Sequence, residues 1–247
     1  MTHGHTTPAK ARVAAVLLGV TGAIGLATPV AAAPDLELGL GLDESGSISS
    51  NNFELQLNAY RNVLGDPNVL PRDGSVAVGV WKFDNSVENI FDTRTIDSAS
   101  DVDDLTANLA PANVQKGDGT TAIDNAIDRI SADLNDANGI TSNEQIIDIS
   151  TDGADITPGD PDVAAQDAVD DNGIEQVNCL GVGGNADCGF IAGTGSFSVS
   201  ASGFGDFEKA LENKITTEVN GEVPVPGTVS LLGTALVGAG LVLRRQS

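Results

Sequence analysis

Histidine is almost missing from this 247-residue chain: its only two, His3 and His5, lie within the first five residues. Beyond them there is no imidazole, hence no Ser-His or Cys-His arrangement and none of the commonest general acid-base group. Cationic side chains are scarce too, 12 lysines and arginines against 35 aspartates and glutamates, for a formal net charge of −23. Binding of a phosphate backbone needs the opposite sign, so nucleic acid is excluded as a partner. Cysteine occurs twice, at Cys179 and Cys188. That spacing is not that of a metal-binding pair, which excludes a cysteine-zinc centre. No internal repeat is present.

What is there begins at the two ends. Lys10 and Arg12 precede an apolar stretch from Val13 to Leu26 and the small-residue run Ala31-Ala32-Ala33. This is the three-part layout of a secretory signal peptide, assigned to residues 1–32 with cleavage after Ala32, because Pro34 would follow a cut after Ala33. The alternative is a permanent N-terminal membrane helix, for which the run is short against the ~20 residues that cross a bilayer. At the other end, Val223-Pro224-Val225-Pro226-Gly227 leads into the apolar run Thr228–Leu243 and then Arg244-Arg245. Residues 220–247 thus read as a linker, an apolar sorting or membrane helix and a basic end that stays cytoplasmic. The arrangement resembles the PEP-CTERM sorting tail of Gram-negative bacteria, with Val-Pro-Val-Pro where Pro-Glu-Pro usually stands. That resemblance implies removal by an exosortase-type membrane protease and display at the cell envelope, outer surface or extracellular matrix; a plain single-span anchor is the alternative. All 35 acidic residues lie between the two apolar runs with 8 basic ones, a net charge of −27. Self-repulsion of that size is relieved by salt or divalent cations.

The interior alternates strands and helices. Leucines at 36, 38, 40 and 42 alternate with Asp35, Glu37, Gly39 and Gly41, a period of two that predicts a strand whose glycine face admits a close helix. Phe53, Leu57, Tyr60 and Leu64 predict an amphipathic helix over 52–64, stopped by Gly65-Asp66-Pro67. Val76 to Trp81 reads as a strand buried on both faces, 87–93 as an edge strand and 99–109 as a short acidic helix. Ile123, Ala126, Ile127, Ile130 and Leu134 form a helical stripe ending at Asn138-Gly139, and a strand follows at 145–150. Asp160-Pro161 opens a helix that Asn172-Gly173 closes, and strands are expected at 175–181 and 196–200. Phe207, Leu211 and Ile215 mark a last helix. The alternation predicts an α/β fold: a Rossmann-like, doubly wound, mostly parallel sheet with helices on both faces. Cys179 and Cys188 form a small disulfide loop in an oxidising compartment, or remain free with Cys179 buried on its strand.

In such sheets ligands bind in the crevice at the carboxyl ends of the strands, and three oxygen-rich loops lie there. Asp43-x-Ser45-x-Ser47 follows the first strand; as a plain turn its serines would cap the next helix, although Ser49, Ser50 or Asn51 can do that instead. Thr120-Thr121 precedes the third helix, where Thr121 and Asp124 have the spacing of a capping box. Thr151-Asp152-Gly153 follows the strand "IIDIS", where Asp-Gly is a common turn. Asp133-x-Asn135 with Glu144 imitates a calcium-binding EF-hand loop but has Asn138 where that loop needs glycine.

The order and placement of the three loops resemble those of a von Willebrand factor A (vWA) domain over residues 35–219. Asp43, Ser45 and Ser47 match that family's Asp-x-Ser-x-Ser motif, Thr121 its threonine and Asp152 its second aspartate, with Thr120 the fallback. "LELGLGLDESGSIS", "LQLNAYRNVLGDPNVL" and "GFGDFEKALENKI" are most similar to an uncharacterised family of bacterial exported proteins with this fold. The resemblance implies a metal-ion-dependent adhesion site (MIDAS). Two carboxylates and three hydroxyls are hard donors suited to Mg²⁺, with Mn²⁺ or Ca²⁺ as alternatives. An acidic group of a protein or polysaccharide partner would complete the shell. Glu44, charged and inside the motif, is expected to add negative charge at the rim. Three functions are then open: a metal-dependent adhesion module, a structural envelope or matrix protein with a vestigial site, and a metal-assisted hydrolase, for which no positioned base is visible.

Overall fold

The computed structural model describes Met1 and residues 33–221. The residues expected to form a signal peptide and a C-terminal sorting or membrane run lie almost wholly outside the described residues. Among the described residues no helix is long and apolar enough to cross a membrane.

Six strands form one sheet: β1 (Leu36–Asp43), β2 (Val76–Phe83), β3 (Val87–Thr95), β4 (Glu144–Thr151), β5 (Gln176–Val182) and β6 (Ser198–Ala201). Their order is β3-β2-β1-β4-β5-β6, and only β3 runs antiparallel. The helices are α1 (Ser50–Gly65), α2 (Ala99–Asn108), α3 (Ile123–Ala132), α4 (Pro161–Asp171) and α5 (Phe207–Val219). This is the doubly wound, mostly parallel α/β architecture of a vWA domain. Strand order reverses between β1 and β4, and the crevice at their carboxyl ends is where ligands bind in such folds.

The alternation in β1 sorts its residues to two faces. Leu36, Leu38, Leu40 and Leu42 join a cluster with Phe53, Leu57 and Tyr60 of α1, Leu105 of α2 and Phe207, Leu211 and Ile215 of α5. On the other face α3 and α4 bury Ile127, Ile130 and Ala165 against Trp81, Ile147 and Ile149. A Cβ on Gly39 would run into Ile130, and one on Gly41 into Ile149 and tightly against Ile130, so the bare backbone of β1 sets how deeply α3 sits. All eight residues of β1 are buried, Glu37 among them. The Glu37 carboxylate accepts hydrogen bonds from Asn138 Nδ2 (2.9 Å), Ser142 Oγ (2.7 Å) and Gln145 Nε2 (3.2 Å).

Several boundaries differ from expectation. Regular α-helix in α3 stops at Ala132, and the stripe continues as a π-helical turn, Asp133–Ala137, before Gly139 at φ +76°. Asp133 and Asn135 therefore belong to a helix end and not to a calcium loop. Cys179 of β5 and Cys188 are joined in a disulfide, which ties the glycine-rich segment after β5 back to the sheet.

One ionic cluster lies inside the core. Lys214 of α5 is fully buried, with Nζ 2.8 Å from Asp148 Oδ1 of β4 and in contact with Glu218 one turn along. The Asp148 contact is ionic rather than a directed hydrogen bond, since neither Asp148 oxygen has a hydrogen-bond partner of good geometry. Asn178 Nδ2 donates to Glu218 Oε1 at 2.9 Å. Burial and the neighbouring Asp148 raise the Glu218 carboxyl to about 7, against the opposing pull of Lys214 and Asn178.

Candidate metal centre

Asp43 ends β1 and Thr151 ends β4, so the pairing of the two strands delivers both to the switch-point crevice. The loop after β1 is free to act there because Ser49 caps α1, its Oγ accepting from Asn52 N at 3.3 Å. Ser45 and Ser47 are thereby released from capping.

The hydroxyls and carboxylates of the three loops meet in one chain. Thr121 Oγ1 donates to Ser45 Oγ at 3.0 Å, Ser45 Oγ and Ser47 Oγ share a hydrogen bond of 3.0 Å, and Ser47 Oγ donates to Asp152 Oδ1 at 2.6 Å. Asp43 adjoins this chain: its Oδ1 accepts from Ser45 N at 2.8 Å and its Oδ2 from Thr151 Oγ1 at 2.6 Å. Asp43, Ser45, Ser47, Thr121 and Asp152 are thus brought to one place, whereas Thr120 is exposed.

The expected capping box at α3 is not formed. Ala122 occupies the N-cap position without a side-chain bond. Asp155 Oδ2 instead accepts from Asp124 N at 3.1 Å, and the Asp124 carboxylate accepts from Thr157 Oγ1 at 3.0 Å. A long-range cap replaces the local one and leaves the Thr121 hydroxyl for Ser45.

Glu44 also departs from expectation. It is no rim charge: only 1% of it is exposed, and its side chain turns back under the loop to an ion pair with Lys82 at 2.9 Å. Burial works against the Lys82 ammonium, but hydrogen bonds to Glu44 and Glu88 outweigh it and raise its pKa above the ordinary value. The apolar run Val76–Trp81 stops one residue short of Lys82 and gives no hint that this lysine points inward.

Asp43 is buried completely and makes no salt bridge. Burial pushes its carboxyl above the usual range; the bonds from Thr151 and Ser45 pull it down, and the nearby Asp152 charge pushes it up again. Among the described residues no group of three or more His, Cys, Asp and Glu is set to hold a metal. The donors that converge here are two carboxylates and three hydroxyls, an all-oxygen set that fits a hard divalent cation. Two neighbouring carboxylates, neither in a salt bridge, are the electrostatic complement of such an ion.

Other members of the site were not foreseen. Thr151 holds Asp43 Oδ2, and its position directly before Asp152 was the available signal. Gln56 Nε2 donates to Asp43 O at 3.0 Å from within α1, for which the sequence carries no signal.

Known proteins with the same fold are found. The profile of a family described as protein of unknown function (DUF1194) matches residues 33–223. The chain belongs to that family. No curated protein matches it. Among solved structures it is similar to proximal thread matrix protein 1 of the mussel byssus, at 15% identity and a TM-score of 0.61, over 74% of this chain and 47% of that one. A further structure of that protein has zinc in its MIDAS motif, with a TM-score of 0.55 at 14% identity over 74% of this chain and 48% of that one. A von Willebrand factor type A protein from Catenulispora acidiphila is similar at 14% identity and a TM-score of 0.60, over 76% and 43% of the two chains. This chain therefore spans about half the length of these neighbours, and the likeness is one of fold.

Proposed function

We propose that this member of the DUF1194 family is an exported binding module that holds a divalent cation at Asp43, Ser45, Ser47, Thr121 and Asp152. The observation that carries the reading is Asp43: a fully buried carboxylate with no salt bridge, beside a second carboxylate and three hydroxyls, at the fold's switch point. Mg²⁺ suits the donor set, with Mn²⁺ and Ca²⁺ as alternatives. The bound ion would supply Lewis acidity toward an acidic group of a protein or polysaccharide ligand. Asp43 and Asp152 would carry the charge that holds it, and the three hydroxyls would bind without neutralising it further. The burial of Glu44 supports this, because that carboxylate does not compete with an acidic ligand at the rim.

In the same reading residues 1–32 are a signal peptide, 35–219 the binding domain and 220–247 a linker with a sorting or membrane helix handled by an exosortase-type protease. The module then acts at the envelope, outer surface or matrix of a Gram-negative bacterium, and binds rather than catalyses. Calorimetric titration of the full-length protein with Mg²⁺, Mn²⁺ and Ca²⁺ tests the metal: saturable uptake is expected, and its loss in the double variant Asp43→Ala, Asp152→Ala. Unchanged weak binding in that variant removes the site. A pull-down from envelope fractions with and without chelator tests the ligand, whose retention is expected to depend on the cation.

A second reading, a structural matrix protein with a vestigial site, is favoured by one observation. The three hydroxyls and Asp152 already satisfy one another. It predicts normal surface assembly of the same double variant.

A further inference from the structure

Behind the candidate centre lies a lysine that no motif accounts for. The Lys116 side chain is 11% exposed, and its Nζ donates to three main-chain carbonyls: Glu44 O at 2.9 Å, Ser45 O at 3.2 Å and Gly117 O at 2.6 Å. An ammonium has three N–H groups, so none remains for a ligand. Two of the acceptors lie in the Asp43–Ser47 loop, and the third in the loop that leads to Thr121.

Other bonds join the same two loops. Glu44 Oε2 accepts from Gly117 N at 2.6 Å, and Gly46 N donates to Gly119 O at 2.9 Å. Lys82 Nζ, paired with Glu44, also donates to Gln115 O at 3.0 Å. Asp84 Oδ2 accepts from Gly119 N at 3.0 Å. A Cβ on Gly117 would strike Asp84 and Glu44, and one on Gly119 would strike Asn85, so the glycines of "KGDG" allow this approach.

We propose that Lys116 and Glu44 are positioning residues: they clamp the Asp43–Ser47 loop to the Thr121 loop and hold the centre assembled before any cation arrives. The inference rests on the metal reading and deepens it. It has an unusual sign. By Coulomb's law alone, a positive charge beside the centre repels a divalent ion, and deleting it would tighten binding. As a clamp, its deletion lets Thr121 and Ser45 drift apart and weakens binding, as loss of an outer-shell partner does by about 10- to 100-fold.

Calorimetry with Mn²⁺ on the full-length protein separates the two. Lys116→Met is expected to bind Mn²⁺ about tenfold or more weakly than wild type, at a temperature where thermal melting shows both metal-free proteins fully folded. Lys116→Arg, which still directs N–H groups at those carbonyls, recovers part of the loss. Equal or tighter Mn²⁺ binding by Lys116→Met overturns the clamp, as does a loss in Lys116→Arg as large as in Lys116→Met. Amide exchange in metal-free wild type is a check that needs no variant. The N–H groups of Gly46, Gly117 and Gly119 are expected to be protected already; protection that arrives only with Mn²⁺ overturns the proposal. Protected amides in a wild type that takes up no Mn²⁺ overturn the metal reading instead, and with it any role of the clamp in coordination.

Discussion

The protein buries carboxylates in two different ways. Under α5, Asp148 and Glu218 share the fully buried ammonium of Lys214, and beneath the first site loop Glu44 has Lys82. At the switch point, Asp43 is equally buried and has only a backbone amide and the Thr151 hydroxyl, with Asp152 nearby. Glu37 shows that burial without a salt bridge is tolerable when three neutral donors converge. The contrast is one of pairing: Asp148, Glu218 and Glu44 each contact a lysine ammonium, whereas Asp43 contacts none and is the acid at which we propose that a cation from outside binds.

That contrast breaks most visibly at Lys214. Lys214→Met leaves Asp148 and Glu218 buried without their counter-charge, and a loss of about 3 to 5 kcal/mol is expected in urea unfolding. Asp43→Asn acts in the opposite sense. It removes a buried charge without a salt-bridge partner, so the metal-free protein should unfold at the same or a higher urea concentration. Cation affinity should fall about 100-fold, roughly 2.7 kcal/mol. A variant that lost stability and kept its affinity would place Asp43 with the structural acids.

Glu218 sharpens the comparison through pH. Its folded pKa, about 7, lies above the ordinary 4.5. The folded state therefore holds its proton more tightly than the unfolded one, and the stability this contributes is fully present below 4.5 and lost as pH rises through about 7. The unfolding free energy of wild type should fall over that window relative to that of Glu218→Gln, by about 3 kcal/mol. Parallel curves would mean that Lys214 keeps Glu218 ionised throughout. The smallest effect is expected at Glu37: Glu37→Gln keeps an acceptor for some of its three donors and turns an amide N–H toward another, costing about 1 kcal/mol. A larger loss would show that the charge itself matters there.

Much of the fold is legible in the residues because local and global signals agree. The leucine alternation of β1, the buried runs of β2 and β4 and the Asp160-Pro161 start of α4 each name an element by a pattern that its burial requires. The five candidate ligands are legible only through the resemblance to a vWA domain, because each of their loops by itself reads as an ordinary turn or helix cap. What escaped depends on direction. Nothing local tells that Glu44 points down to Lys82, that Lys116 reaches three carbonyls, or that Asp155 caps α3 and frees Thr121. Apart from the bond of Lys116 to the adjacent Gly117 carbonyl, those contacts join residues 31 to 72 positions apart. The π-helical turn after Ala132 escaped too, because its residues continue the same apolar stripe.

Gly39 and Gly41 reach further than their size suggests. α3 rests on their bare backbone through Ile130, and it begins two residues after Thr121. A single methyl group at Gly39 would act as a wedge about 13 Å below Asp43, at the ~3.3 Å rise of a strand. Lifting α3 would tilt the threonine's loop away from the serines with every candidate ligand still in place. The aperture of the centre is in this sense gauged from the floor of the sheet, by two side chains the protein does without.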